Sequence, residues 1–279
     1  PDKIDIYRYD IRIQKQLLLL EESKIIEENK KLIKEFIDHC IVNPQINGAR
    51  TAKYIYTLRY IGERANKKFK DMNEKDINEL LANLQRSNTV KGKPYSTASM
   101  DEFRKTISKF WRWLYEDECH GEAPPVIRRL KIKSPKEKKE PETFTKEEMK
   151  TLIDGMTTIR DKAFFSCLYD LGCRVGELLT RQIKHIKYNE EGNIQLFVEH
   201  EKTSVSGWET LFESVPQFIT WMRLHPLPSD PNAPLWVVMK KQGRIISMSY
   251  PLTRKLFLNA CKRQKIRESK RSNIHMIRK

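Results

Sequence analysis

An arginine stands where an apolar stretch of this chain breaks. Leu168 to Leu171 run into Gly172 and Cys173, Arg174 follows, and a helical pattern resumes from Val175 to Leu179. A guanidinium among apolar neighbours is costly unless it is paired or presented to an anion. Its planar donors match two phosphate oxygens at once. Glu177, one helical turn further on, can hold Arg174 or its helix in place, and an internal Arg–Glu pair is the plainer alternative. A second candidate is Lys202, flanked by Glu201 and Thr203 at the end of a strand pattern, where a hairpin lysine can reach a neighbouring groove. Taken alone it is equally an ordinary surface lysine. The third is His275 with Arg278, whose i, i+3 spacing puts both on one helix face and lets them converge on one anion; a basic helix start is the alternative. Cations and proton donors of this kind suit an oxyanion whose charge grows during reaction. No acidic cluster suggests magnesium ligation.

The elements that must position these residues fall into two groups. Helical spacing runs from about Ser23 to Cys40, with Ser23 as a candidate cap, and again from about Arg50 to Ala65. Asn73 followed by Asp76 resembles a capping box before Ile77, Leu80, Leu81 and Leu84. A fourth helix from Ser96 to about Tyr115 carries Phe103, Ile107, Phe110, Trp111 and Leu114. A basic, proline-interrupted stretch follows, in which Arg128, Arg129, Lys131 and Lys133 are candidates for phosphate contacts, or simply a solvated hinge. Thr145 and Glu148 form a second capping box. Beyond it the pattern predicts helices to Gly155 and over Asp161 to Leu171. Strands follow over Ile194 to Glu199 and Trp208 to Val215, with a turn at Ser204 to Gly207. A helix from Pro216, a short strand or buried turn at Leu235 to Val238, and a helix from Ser249 to about Lys265 complete the pattern. The expected division is an N-terminal arm (1–22), a helical domain (23–118), a basic linker (119–143) and a mixed α/β domain (144–279).

Composition narrows the partners. The 279 residues carry 53 Lys and Arg against 37 Asp and Glu, a formal charge of +16. Such an excess favours a polyanion, because each phosphate neutralised releases counterions. Cys40, Cys119, Cys167, Cys173 and Cys261 are scattered without metal-ligand spacing, and an odd count points to reduced, intracellular thiols. The longest apolar run, Leu17 to Leu20, is far too short to span a membrane.

In order along the chain, these features resemble the tyrosine recombinase (phage integrase, Xer-like) family. Gly172, Arg174, Glu177 and Leu178 match its first box, G-x-R-x-x-E-L; Lys202 stands where its hairpin lysine falls; His275 and Arg278 match its H-x-x-R box. The aromatic run Phe110, Trp111, Trp113 and Leu114 is similar to the end of its core-binding domain, so the resemblance extends from about residue 24 to the end. It implies a mainly α fold with a small β-sheet, in a helical core-binding domain plus a mixed catalytic domain. It implies metal-free and cofactor-free transesterification through a 3′-phosphotyrosine on double-stranded DNA, by a tetramer on two sites. Arg174 and Arg278 would neutralise the non-bridging oxygens, Lys202 would protonate the leaving 5′-oxygen, His275 would donate to the phosphate, and Glu177 would support Arg174. The family's nucleophilic tyrosine follows the second box and is expected beyond Lys279; Tyr250 precedes that box. The turn near Lys202 is longer and poorer in glycine than in many relatives. Alternatives are a type IB topoisomerase, a DNA-binding accessory protein without a nucleophile, and a helical transcription factor.

Overall fold

The computed structural model describes residues 6–89, 92–132, 142–200, 205–267 and 273–277. The chain forms two compact units, 8–138 and 139–279, the second joined by residues 1–7. The fold is mainly helical with small antiparallel sheets.

The first unit is all-helical: α1 (Tyr9–Glu21), α2 (Glu27–Val42), α3 (Gly48–Gly62), α4 (Glu74–Arg86), α5 (Thr97–Leu114) and the single turn α6 (Glu116–Cys119). Caps set several boundaries. Asn73 accepts from the N–H groups of Lys75 and Asp76 while Asp76 accepts from Asn73 N–H, the reciprocal capping box expected at α4. The Asn47 side chain accepts from Arg50 N–H, so α3 begins two residues before the predicted start. The anticipated cap at Ser23 is not formed. Its hydroxyl donates back to Leu20 O, which closes α1 and leaves α2 to start at Glu27. Phe36, Phe69, Phe110 and Trp111 form the aromatic centre, with Phe36 and Phe110 edge-to-face at 5.3 Å. Buried Asn29 is satisfied within this core. Its amide donates to Lys67 O at 3.0 Å and its oxygen accepts from Phe69 N–H at 2.7 Å. Val126 and Ile127, inside the stretch read as linker, are also buried here.

The second unit contains α7 (Lys146–Asp154), α8 (Ile159–Leu171), α9 (Val175–Leu179), β1 (Ile186–Tyr188), β2 (Ile194–His200), β3 (Val205–Thr210), α10 (Val215–Leu224), β4 (Val237–Met239), β5 (Ile245–Ser247) and α11 (Tyr250–Arg263). A 3₁₀ turn over Ile274–Ile277 follows. The strands make an antiparallel β1-β2-β3 sheet and a β4-β5 hairpin. The capping box of Thr145 and Glu148 opens α7 as expected. The partner strand of β2 lies earlier than predicted: Gly207 pairs with Val198 instead of turning, and the strand ends at Thr210. Asp170 enforces that end. Its carboxylate accepts from Phe212 N–H, Ser214 N–H and the Ser214 hydroxyl, three donors that a continuing strand would have spent elsewhere. Strand β5 carried no recognised sequence signal. Phe164, Phe165, Trp236 and Phe257 fill the core, which also takes in Ile6.

Candidate active site

Gly172 ends α8 in the left-handed conformation, at φ 59°, and turns the chain into the Arg174 segment. At the start of α9 the Arg174 backbone N–H donates to Glu177 Oε2 at 2.7 Å. The Arg174 guanidinium donates to Glu177 Oε1 at 2.6 Å. The glutamate side chain is 2% exposed and the arginine side chain 27%. The carboxylate is thus the buried anchor, while part of the guanidinium faces solvent with donors to spare for a second anion. The internal pair and the anion-facing arginine, posed by the sequence as alternatives, are compatible in this geometry.

His275 lies in the 3₁₀ turn between two buried residues, Ile274 and Ile277. The turn is held from three sides: His275 N–H donates to Asn273 Oδ1 at 3.2 Å, Met276 N–H to Asn273 O at 2.9 Å, and Phe144 N–H to Met276 O at 3.1 Å. The imidazole itself is exposed and stacks beside Tyr250, with centroids 6.4 Å apart and the Tyr250 hydroxyl 3.5 Å from Nε2. Arg267 ties the end of the preceding segment to α7 through two hydrogen bonds of 2.9 Å to Glu148, and packs over the Phe144 ring at 4.5 Å. The hydrogen bonds from Glu148 push the Arg267 pKa further up.

Lys202, Arg278 and Lys133 lie outside the described residues. Arg128, Arg129 and Lys131 are exposed and follow the buried pair Val126 and Ile127, on the surface of the helical unit.

Two side chains the sequence reading passed over also shape the site. Arg181, two residues past α9, is 3% exposed. It donates to Phe197 O at 3.1 Å, to the Thr180 hydroxyl at 2.9 Å and to Glu199 at 3.1 Å. It thereby fastens the end of the first box to β2, the strand that runs toward Lys202. Tyr7 packs against Tyr250 in a tilted ring contact, centroids 5.2 Å apart. Position in the sequence offers no signal for either, since each acts on a strand or ring far along the chain.

No family model and no curated protein matches the sequence. Solved structures do. The chain has the fold of the tyrosine recombinases. A lambda integrase tetramer bound to a Holliday junction is 15% identical, with a TM-score of 0.63, over 88% of this chain and 67% of that one. XerH site-specific recombinase, in a post-cleavage complex with a palindromic difH substrate, is also 15% identical with a TM-score of 0.63, over 99% of this chain and 86% of that one. The pre-cleavage XerH complex with difH gives 13% and 0.60, over 100% and 84%. Among the described residues no helix is long and apolar enough to cross a membrane.

Proposed function

We propose that this chain is the DNA-binding and strand-cleaving body of a site-specific tyrosine recombinase. It would serve mobile-element integration and excision or chromosome-dimer resolution. The observation that carries the reading is the partly exposed Arg174 held through its backbone N–H and its guanidinium by buried Glu177, inside a fold shared with integrases and Xer recombinases. A guanidinium fixed by a carboxylate beneath it pays its orientation before a phosphate arrives, so its remaining donors stabilise the charge that builds on the non-bridging oxygens.

In this reading a tyrosine attacks the scissile phosphate, forming a 3′-phosphotyrosine and releasing a 5′-hydroxyl. That hydroxyl on the partner duplex later attacks the linkage and frees the tyrosine, so the number of phosphodiester bonds is conserved and no nucleotide is consumed. Arg174 and Arg278 neutralise the phosphate, His275 donates a hydrogen bond to it from its exposed turn, and Lys202 protonates the leaving 5′-oxygen. Exposed Arg128, Arg129 and Lys131, with Lys133, lie along the DNA backbone and set register without reading bases. Assembly is as four subunits on two DNA sites, in line with the tetramer described for lambda integrase on a Holliday junction.

The test is covalent trapping. The full-length protein is incubated with nicked duplexes tiled across its own genomic neighbourhood and run on a denaturing gel. A protein–DNA adduct that disappears with Arg174→Ala, and maps to a tyrosine, supports the recombinase. Tight, specific binding with no adduct on any duplex leaves a DNA-binding clamp without chemistry.

A further inference from the structure

Residues 6 and 7 lie in sequence far from both boxes, yet they pack between them. Ile6 is buried in the core of the second unit, and its carbonyl accepts from Tyr250 N–H at 3.0 Å, at the first residue of α11. Tyr7 faces two ways. Its ring packs against Tyr250 in a tilted contact, centroids 5.2 Å apart and planes 40° apart, and Tyr250 in turn stacks beside the His275 imidazole at 6.4 Å with its hydroxyl 3.5 Å from Nε2. The Tyr7 hydroxyl lies against Gly176, which directly precedes Glu177 in the first box. A Cβ built on Gly176 would stand 2.8 Å from that oxygen, whereas its next neighbours, Ile6 Cδ1 and Tyr7 Cζ, are at 3.6 and 3.7 Å. Gly176 is helical and needs no unusual backbone. The space its missing side chain leaves is occupied by the Tyr7 hydroxyl.

Among the described residues, one aromatic ring meets the His275 imidazole. The backbone of its turn is tied down, but the imidazole is exposed and its ring contact is with Tyr250. An exposed ring on a fixed turn samples several rotamers unless a neighbour restricts it. The tilted Tyr7–Tyr250 ring contact supplies that restriction from one side, and Gly176 sets how deep Tyr7 sits.

We propose that Tyr7 is a positioning residue of the active site: lodged against Gly176 of the first box, it fixes Tyr250 and through it the imidazole of His275, so that the two boxes are held in one register. The role assigned to His275 rests on the recombinase reading; the coupling between Tyr7, Gly176 and the His275 ring does not.

Two measurements test it. In the first, the imidazole proton resonances of His275 are recorded by NMR in the wild type and in Tyr7→Ala, Tyr7→Phe and Gly176→Ala. Ring stacking on Tyr250 displaces these signals, so they move in Tyr7→Ala and Gly176→Ala and stay in Tyr7→Phe. In the second, the rate of covalent trapping is measured with the full-length protein on its site. Tyr7→Ala traps about ten- to a hundred-fold more slowly at unchanged DNA affinity, while Tyr7→Phe, which keeps the ring against Tyr250, traps faster than Tyr7→Ala. Gly176→Ala is slow alone and recovers in the Tyr7→Phe background, because the oxygen that the new methyl displaces is gone. Wild-type rates in Tyr7→Ala, or a Gly176→Ala defect that Tyr7→Phe leaves untouched, overturn the proposal. If the wild type itself forms no adduct, the recombinase reading fails, and the NMR arm alone decides: unmoved His275 resonances in Tyr7→Ala overturn the coupling.

Discussion

Arg174 and Glu177 are joined twice, once through the Arg174 backbone N–H at 2.7 Å and once through its guanidinium at 2.6 Å, to the two oxygens of one carboxylate. Three residues of separation place the glutamate back over the first turn of α9, so the same side chain caps the helix and orients the arginine. Removing it strands a partly buried cation and an unsatisfied N–H together. Glu177→Ala is expected to cost about 2–3 kcal/mol of stability, read by urea unfolding. Glu177→Gln keeps an acceptor for the backbone N–H and costs less. A Glu177→Ala protein as stable as the wild type would mean that the pair is ornamental to the fold.

Gly172 has nothing within 4 Å of a would-be Cβ, so any penalty for a side chain there comes from its φ of 59° alone. Gly172→Ala should lose about 1–2 kcal/mol, and Gly172→Asn should lose less, since asparagine tolerates the left-handed region. Thermal denaturation of the two variants side by side gives the order; equal losses would point to crowding instead of backbone conformation.

Arg181 makes three hydrogen bonds from a nearly inaccessible position. Lysine has no fork with which to reach Phe197 O, Thr180 and Glu199 at once. Arg181→Lys is therefore expected to be almost as damaging as Arg181→Met, each by about 2–3 kcal/mol, and amide exchange should quicken along β2 in both. Unchanged protection of the Phe197 and Glu199 amides would remove Arg181 from the support of that strand.

His225 and His185 are both held below the ordinary imidazole value, in each case chiefly by burial. His225 is also fixed as the neutral form: Nδ1 accepts from Leu227 N–H at 3.1 Å, which leaves Nε2–H to donate to Pro234 O at 3.1 Å. For a depressed histidine the unfolded chain binds protons that the native chain refuses. Stability is then complete above the ordinary imidazole value and declines as pH falls below it. The melting temperature should drop as pH falls from about 6.5 to about 5.5, a window in which surface carboxylates stay ionised. His225→Gln should be less stable at neutral pH and show a shallower decline; an unaltered slope would assign the effect elsewhere.

Arg129 makes a long ion pair of 3.8 Å with Glu74 while its side chain stays 84% exposed, and Arg128 is exposed beside it, so both can reach a phosphate. If both touch phosphates, the double alanine variant should weaken DNA binding evenly across sequences. It should also reduce the slope of log affinity against log salt by roughly two, about one per contact. Titrations at several salt concentrations measure this, and a slope equal to the wild type would take this segment out of the interface.

What could be read from the chain in advance was what depends on near neighbours in sequence. The capping boxes at Asn73 and Thr145, the break at Gly172 and the Arg174–Glu177 pair all act over three or four residues, where backbone geometry alone dictates which groups meet. The same locality makes a spaced set of boxes recognisable along the chain. The end of β3 was misjudged because Asp170, 42 residues earlier, captures Phe212 N–H. Arg181 drew no notice because its burial depends on β2, which only the folded sheet brings over it. Tyr7 drew none because it meets Tyr250 only once Ile6 is drawn into the core. Periodicity and composition carry no information about such meetings. They are settled by which apolar surfaces bury together, a property of the whole core and of no single segment. Chemical groups and their local caps follow from neighbours along the chain; which of them share a surface follows from how the whole core packs.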